Sequence, residues 1–286
     1  MPPPSKSSAI STQPLKILML HGYTQSGPLF HAKTKALEKS LQKAFPQVKL
    51  HYPTAPNRIH KADIPNFGNS KPSNDESKSN GVEDEPDAWG WWRRRDDSSV
   101  YLGMDDSFTF IAEVLKSEGP FDGIIGFSQG GAAAGMVASL LEPGRQEAFA
   151  AAEANGGRKY PESFLDDKGS WDGLIHPPLK FAVSYSGYGA GTHPLYKAFY
   201  EPKIQTPILN FLGSLDTIVE EKRSLFLVDA CTDGRKEGRL IYHPGGHFVP
   251  SSQGQYVGAL IGFIKDIIGG GSGSKEDSVE NMDVPF

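Results

Sequence analysis

The chain has 286 residues, of which 38% are hydrophobic, and a net charge of −5 at pH 7. This balance offers no basic face for a nucleic acid, and no run approaches the roughly 18 apolar residues that span a bilayer. The single cysteine, Cys231, leaves no internal disulfide and favours a reducing compartment, the cytoplasm or also the nucleus.

The two ends of the chain are polar. Residues 1–14 are rich in Pro and Ser and lack the apolar core of a secretory signal, so we expect a disordered N-terminus. Residues 269–286 combine Gly, Ser and acidic side chains, which predicts a flexible acidic tail. Residues 15–268 remain, a length that suits one α/β domain.

Six short apolar runs alternate with helical patterns along this central part. Because parallel strands need crossover connections, the alternation predicts a mostly parallel sheet with helices on both faces. Unbroken apolar runs are typical of strands buried on both faces. The predicted strands are Leu15–Leu20, Val48–Tyr52, Gly123–Phe127, Lys180–Tyr185, Ile208–Leu212 and Arg239–Tyr242. Numbered in this order, they are expected to lie side by side as 2-1-3-4-5-6.

The segments between the strands are helical patterns or polar stretches. Apolar residues at helical spacing predict helices at Phe30–Phe45, Ser107–Ser117, Gly131–Leu141, Glu221–Ala230 and Gln255–Ile268. Residues 61–87 and 142–178 are polar instead, and loops this long are uncommon in a compact domain. We expect both as irregular insertions, the first of them an exposed loop.

The pentapeptide Gly126-Phe127-Ser128-Gln129-Gly130 is the only G-x-S-x-G in the chain. It follows an apolar strand and opens an Ala-rich helix, which is the arrangement of a nucleophile elbow. Such a serine needs a strained backbone to lift its hydroxyl out of the turn, and the flanking glycines leave room for this. The pattern predicts Ser128 as a nucleophile. The alternative is a glycine-rich turn with an incidental serine.

A serine nucleophile needs a base that a carboxylate orients, and in this arrangement the order along the chain is Ser, Asp or Glu, then His. His247 lies in a Gly/Pro-rich loop after the last strand, at the edge of the sheet where ligands bind. We favour it over His243, which ends that strand. Asp216 follows the fifth predicted strand and is the candidate acid, with a helix-capping role as the alternative.

An oxyanion hole would combine the backbone N–H of Gln129 with one from the loop after the first strand. That loop reads His21-Gly22-Tyr23-Thr24, and Tyr23 is the expected donor with Thr24 as the alternative. His21 is expected to be an orienting or structural residue. It is not expected to be a second base.

Aromatic side chains supply the candidate substrate pocket. The tryptophan cluster Trp89-Gly90-Trp91-Trp92 either forms an acyl-binding wall or anchors a loop in the core. Tyr188 has the same two interpretations. The pocket candidates are Thr24, Trp91, Trp92, Tyr188 and Phe248.

Metal and nucleotide motifs are absent from the sequence. It has no H-E-x-x-H and no paired cysteines, and no Walker A or G-x-G-x-x-G follows the first strand. We therefore expect neither a metal nor a cofactor.

Six segments together resemble the family of serine hydrolases (FSH-type) that is common in fungi. These segments are LHGYTQSG, the tryptophan cluster, FDGIIGFSQGGA, SYSGY, LGSLDTIV and HPGGHFVP. The resemblance runs from about Leu15 to Ile268 and implies an α/β-hydrolase fold with esterase or thioesterase activity on acyl substrates. By this resemblance Ser128, Asp216 and His247 match the triad positions of the family. The two polar insertions are the main departures from its pattern.

We therefore expect a single α/β-hydrolase domain that cleaves short- to medium-chain carboxylic esters or thioesters through an acyl-serine. The closest alternative is a release thioesterase that acts on a carrier-bound or protein-bound acyl chain, such as a polyketide, with an acyl-carrier protein as its partner. The alternative from another class is a catalytically silent binding protein that keeps the fold.

Overall fold

The computed structural model describes residues 14–64, 86–94, 100–166 and 171–269. Within these ranges the strands are β1 Lys16–Leu20, β2 Lys49–His51, β3 Asn57–Arg58, β4 Trp89–Gly90, β5 Arg93–Arg94, β6 Tyr101–Leu102, β7 Gly123–Phe127, β8 Phe181–Tyr185, β9 Ile208–Gly213 and β10 Leu240–His243. The helices are α1 Gly27–Ala44, α2 Met104–Glu118, α3 Gln129–Leu140, α4 Arg145–Glu153, α5 Pro194–Lys197, α6 Glu221–Asp229 and α7 Gly254–Ile268.

The central sheet has six strands in the order β2-β1-β7-β8-β9-β10, and all neighbours within it are parallel. This confirms the predicted α/β class and the predicted strand order. The remaining short strands form two antiparallel pairs, β3 with β4 and β5 with β6. Over the described ranges, no helix is both long enough and apolar enough to cross a bilayer.

Both faces of the sheet are covered, which explains why its strands are unbroken apolar runs. Successive side chains of a strand point to opposite faces. Ile17 and Met19 accordingly pack in the layer that α1 and α7 cover, whereas Leu18 and Leu20 pack in the layer under α2 and α3. The Ala-rich α3 is buried along its whole length, and its small side chains let it lie close against the strands.

The second polar stretch, residues 142–178, is less irregular than expected. It contains α4 and a 3-10 turn at Glu162–Phe164. Two buried residues explain the difference. Phe149 of α4 is fully buried, and the Arg145 guanidinium donates to the Glu142 carboxylate at 2.6 Å.

Most of the first polar stretch lies outside the described residues, as do the N-terminus and the tail. Residues 65–85, 1–13 and 270–286 are not described, so their expected disorder stays a prediction. The described start of the first stretch is a 3-10 turn at Lys61–Asp63.

The parallel sheet brings distant parts of the chain to one edge. Because all six strands point the same way, the loops that follow β1, β7, β9 and β10 meet at the carboxyl edge of the sheet. These loops carry the residues for which chemistry was expected.

Candidate active site

Ser128 lies in the turn between β7 and α3, where its backbone is strained. Its φ of 54° and ψ of −116° fall outside the conformations that L-residues ordinarily adopt. A Cβ on Gly126 would overlap the carbonyl of Gly130, and a Cβ on Gly130 would overlap the carbonyl of Leu20. The Ser128 N–H donates to Tyr185 O of β8 at 2.8 Å. The neighbouring strand and the two glycines therefore hold the turn in this conformation.

Asp216 and His247 come together from the loops after β9 and β10. Nδ1 of His247 lies 2.7 Å from Oδ2 of Asp216. The other carboxylate oxygen accepts the backbone N–H groups of Ile218 at 2.9 Å and Val219 at 3.0 Å. Burial raises the pKa of Asp216, but these hydrogen bonds outweigh it and hold the pKa below its ordinary value. The group is therefore ionised at neutral pH, and its contact with Nδ1 leaves Nε2 as the ring nitrogen available to a substrate.

Backbone hydrogen bonds fix these two loops to each other. The N–H of Ser214 donates to the carbonyl of His243 at the end of β10 at 2.8 Å, and the N–H of Leu215 donates to the carbonyl of Gly245 in the His247 loop at 3.0 Å. The His247 ring packs against the Phe127 ring, with 4.8 Å between their centroids. Since Phe127 precedes Ser128, this contact ties the imidazole to the strand that ends in the elbow.

Tyr23 and Gln129 each present a backbone N–H without a partner. Among the described residues, no hydrogen bond occupies either group. Gln129 begins α3, where the first N–H groups of a helix have no intrahelical acceptor. The N–H of Thr24 instead donates to Trp89 O at 2.8 Å, so the alternative donor is already engaged.

The Gln129 side chain joins the elbow to the tryptophan cluster. Its Oε1 accepts the Trp91 N–H at 2.7 Å, and its Nε2 donates to Trp92 O at 2.7 Å. Trp92 lines the cleft described below, whereas Trp91 does not. Trp91 is fully buried, and its indole N–H donates to His21 O at 2.9 Å. Trp91 therefore matches the alternative interpretation, an anchor in the core, because its one polar atom is used to hold a loop.

His21 is a structural histidine. Its Nδ1 lies 2.7 Å from Gly22 O, and its Nε2 accepts the Ala55 N–H at 2.9 Å. Burial lowers its pKa from 6.5 to about 4, so the ring is neutral at pH 7. With both nitrogens engaged, it is not free to take a proton from a nucleophile.

A cleft of about 830 Å³ opens over Ser128 and His247. It is bordered by both residues with the free N–H groups, Tyr23 and Gln129, and by the expected pocket residues Thr24, Trp92, Tyr188 and Phe248. The other lining residues are Gln25, Phe30, Lys33, Asp63, Arg94, Tyr101, Phe127, Ile218, Val219, Arg223 and Val249.

Comparison with known proteins identifies the family. A family model described as Serine hydrolase (FSH1) matches residues 10–258. The chain belongs to this family. The FSH1 match spans both the elbow and the His247 loop.

Curated relatives agree with the FSH1 family. Family of serine hydrolases 3 from Saccharomyces cerevisiae is 31% identical over 88% of this chain and 84% of its own length. Esterase OVCA2 from Danio rerio is 32% identical over 85% of this chain and 93% of its own length. Dihydrofolate reductase from Schizosaccharomyces pombe is 33% identical over 84% of this chain. The chain spans only 44% of that longer protein, so the activity in its name is not carried over.

Solved structures support the fold. Esterase PE8 superposes with a TM-score of 0.54 at 18% identity, over 91% of this chain and 95% of the other. SOBER1 from Arabidopsis thaliana superposes with a TM-score of 0.52 at 19% identity, over 90% of this chain and 100% of the other. At such identities the likeness concerns the α/β-hydrolase fold alone.

Sequence reasoning missed part of the cleft of this FSH1 family member. Ile218 and Val219 follow Asp216 directly in LGSLDTIV, so their position beside the acid was a usable signal. Tyr101 and Arg223 come from β6 and α6, and no motif marks them. Over the described ranges, no group of three His, Cys, Asp or Glu side chains could hold a metal ion.

Proposed function

We propose that this family member hydrolyses carboxylic esters or thioesters through an acyl-serine intermediate on Ser128. The observation that carries the proposal is the 2.7 Å contact between His247 Nδ1 and Asp216 Oδ2, in a protein whose strained Ser128 borders the same cleft as the imidazole. A carboxylate, an imidazole and an activated hydroxyl are the groups that acyl transfer requires.

In the acylation step, the Ser128 oxygen attacks the substrate carbonyl carbon while its proton passes to Nε2 of His247. Asp216 keeps Nδ1 protonated and stabilises the imidazolium that forms. The N–H groups of Tyr23 and Gln129 donate to the carbonyl oxygen as it becomes negative. Collapse of the tetrahedral intermediate breaks the bond to the alcohol or thiol, which leaves with the proton from His247.

In the deacylation step, water replaces the leaving group. His247 takes a proton from this water, and the water oxygen attacks the acyl carbon of the ester on Ser128. The acid product then leaves, and His247 returns the proton to the serine oxygen.

The size and lining of the cleft support a short- to medium-chain acyl group. Ligand sites of about 300–1,000 Å³ hold molecules of moderate size, and 830 Å³ lies within this range. Trp92, Ile218, Val219 and Phe248 provide apolar surface for methylene groups.

Labelling with a fluorophosphonate tests the nucleophile and the enzyme class together. The intact protein should label once, and Ser128→Ala should abolish both labelling and ester hydrolysis with little change in Tm. Ser40→Ala, a partly exposed serine of α1 that bonds only to its own helix, is the matched control and should label normally. A protein that neither labels nor hydrolyses any ester would instead be the silent binding protein.

A chain-length series tests the substrate class. p-Nitrophenyl esters of two to twelve carbons should give a kcat/KM that rises until the acyl group fills the cleft and then falls. A marked preference for the same acyl group as a thioester on coenzyme A or on a carrier protein would favour the release-thioesterase alternative. A flat, weak profile in both series would contradict the proposed substrate class.

We also propose a reducing compartment, the cytoplasm or nucleus. The only cysteine, Cys231, is buried, and burial raises its pKa to about 12. The thiol is therefore protonated and is not exposed to form a disulfide with a partner. Imaging of a fluorescent fusion tests this, and a secreted product would contradict it.

A further inference from the structure

The described lining of the cleft carries a net positive charge although the chain is acidic. Its described lining residues include three cations, Lys33, Arg94 and Arg223, and one carboxylate, Asp63. That carboxylate is already paired with Arg93 at 2.8 Å. An acyl chain made only of methylene groups would give these cations no counter-charge. The lining therefore fits a substrate that carries a negative group of its own.

Arg223 is the cation that the fold positions best. Its guanidinium lies over the ring of Tyr188, 4.1 Å from the centroid, and its Nη2 donates to the Tyr101 hydroxyl at 3.4 Å. Lys33 and Arg94 are exposed, whereas Arg223 is partly buried against these two buried tyrosines. A guanidinium held flat in this way has lost much of its freedom before any ligand arrives, which lowers the entropic cost of binding one.

No carboxylate of the described residues forms a salt bridge with Arg223. The acid nearest to it along α6, Glu221, accepts the Tyr242 hydroxyl at 2.6 Å. Glu220, which precedes α6, is exposed and pairs with Lys222 at 2.6 Å. Burial raises the pKa of Tyr188 to about 12, so the ring under the guanidinium stays neutral near pH 7. Arg223 therefore has no ion pair at contact distance among the described residues, and the carboxylate that attracts it, Glu220, is exposed and already paired with Lys222.

Tyr188 connects Arg223 to the residues around Ser128. The side chains of Gln129 and Trp92 lie beside the Tyr188 hydroxyl, and Gln129 directly follows Ser128. One aromatic side chain thus separates the guanidinium from the start of α3. A group bound at Arg223 shares the cleft with the carbonyl that Ser128 attacks.

We propose that Arg223, with the Tyr101 hydroxyl beside it, binds an anionic group of the substrate, a carboxylate or a phosphate. This inference rests on the proposed hydrolase function. A guanidinium matches the two oxygens of either anion with parallel N–H groups. Lys33 and Arg94, at the exposed part of the cleft, add to the attraction.

The anion has two possible sources, and two pairs of substrates distinguish them. If it ends the acyl group, the p-nitrophenyl hemiester of glutaric acid is the probe and p-nitrophenyl pentanoate its neutral partner. If it belongs to the leaving group, butanoyl coenzyme A is the probe. Its partner is the butanoyl thioester of N-acetylcysteamine, which lacks the phosphates. Each pair gives a ratio of kcat/KM, anionic over neutral.

In Arg223→Gln, one of these ratios should fall by roughly tenfold to a hundredfold, the effect of losing a charge-assisted hydrogen bond. In Arg223→Lys the same ratio should fall less, because lysine keeps the positive charge but cannot donate two parallel N–H groups. Lys222→Gln removes the same charge from the adjacent exposed position of α6, which does not line the cleft, and should leave both ratios within roughly twofold. A fall in the hemiester ratio identifies an anionic acyl group, and a fall in the thioester ratio identifies a phosphate on the leaving group.

Two outcomes would overturn the inference. Both ratios could remain unchanged in Arg223→Gln, or Lys222→Gln could lower them equally, which would reduce the effect to overall charge. If Arg223→Gln does not fold, protection of the wild type against fluorophosphonate labelling decides. Glutarate should protect more than glutaramide does if the anion ends the acyl group, and coenzyme A should protect more than pantetheine does if the anion is a phosphate of the leaving group. Equal protection within both pairs would contradict the inference. Ser128-dependent hydrolysis of the neutral esters without any Arg223 effect would leave the proposed function intact.

Discussion

At the scale of single residues, Asp216 divides its two carboxylate oxygens between two tasks. Oδ1 accepts two backbone N–H groups and fixes the turn before α6, whereas Oδ2 contacts the imidazole of His247. The helix-capping role that the sequence suggested as an alternative is not found, because both N–H groups belong to the turn before α6 and the N-cap residue of that helix is Glu220. Because the turn immobilises the carboxylate, it also fixes the direction from which the imidazole is held.

We expect Asp216→Asn to lower kcat by roughly 10³- to 10⁴-fold, since an amide no longer stabilises the imidazolium or fixes the tautomer of His247. His247→Ala should lower it by at least as much. Steady-state kinetics on a p-nitrophenyl ester measure both. Asp229→Asn is the control and should keep wild-type kcat. It removes an exposed carboxylate at the C-terminal end of α6, where Asp229 pairs with Arg235.

The competing base gives the outcome that would contradict this assignment. His243 is buried, and its ring packs against the rings of Phe248 and Tyr256. Burial lowers its pKa, as expected for a histidine within the core. If His243→Ala reduced kcat at unchanged stability while His247→Ala did not, the base would have been misassigned.

At the scale of elements, Glu142 holds the second polar stretch against the sheet. Its Oε1 accepts the N–H of Gln205 at 2.8 Å and the N–H and hydroxyl of Thr206 at 2.7 and 2.9 Å, just before β9 begins. Its Oε2 accepts from Arg145, whose other terminal nitrogen donates to the carbonyls of Ala198 and Pro202. One buried ion pair thus connects the end of α3, the start of α4 and the entry to β9.

We predict that Glu142→Ala lowers the free energy of unfolding by about 3–5 kcal/mol, because it leaves the buried Arg145 without its counter-charge. Urea unfolding measures this loss. Glu153→Ala, at the exposed end of α4 with a loose 3.7 Å contact to Lys159, should cost less than about 1 kcal/mol. Equal losses in the two variants would show that the Glu142 network does not anchor this segment.

At the scale of the whole molecule, the sheet was predictable and the long-range polar contacts were not. Strands buried on both faces leave continuous apolar runs, and the crossover helices between them dictate parallel pairing, so class and strand order could be derived. Glu142 and Arg145 look like ordinary surface charges in sequence, since nothing local reveals that Thr206 and Pro202 enclose them. Arg223 enters the cleft for a similar reason: its position depends on where α6 packs, which is a property of the assembled fold.

The pH dependence of stability should also be a property of the whole fold. Burial lowers the pKa of His21 from 6.5 to about 4, and it lowers the pKa of the buried His176 as well. Between these values the unfolded chain binds a proton that folded His21 does not bind, so stability falls as pH drops from about 6.5 to about 4. For His21 the loss is about 3 kcal/mol at about 1.4 kcal/mol per pKa unit.

Urea unfolding at pH 7, 5.5 and 4.5 should detect this fall, and His21→Asn should have a smaller one even though it is less stable at pH 7. The control is Ser40→Ala in α1, which changes no titratable group and should keep the wild-type pH dependence. An identical slope in wild type and His21→Asn would exclude His21 as a source of acid sensitivity.

Gln129 connects the start of α3 to the tryptophan cluster. The residue lines the cleft beside Ser128, while its side chain bonds the backbone of Trp91 and Trp92. We therefore expect substitutions that move Trp92 to disturb the start of α3 as well, so that a gain in selectivity there would come with a lower kcat. Ile218 and Phe248, on the opposite loops, have no such tie to Gln129 and are partly exposed. Evolution of new substrate preferences should accordingly accumulate its changes on those loops and leave the tryptophans alone.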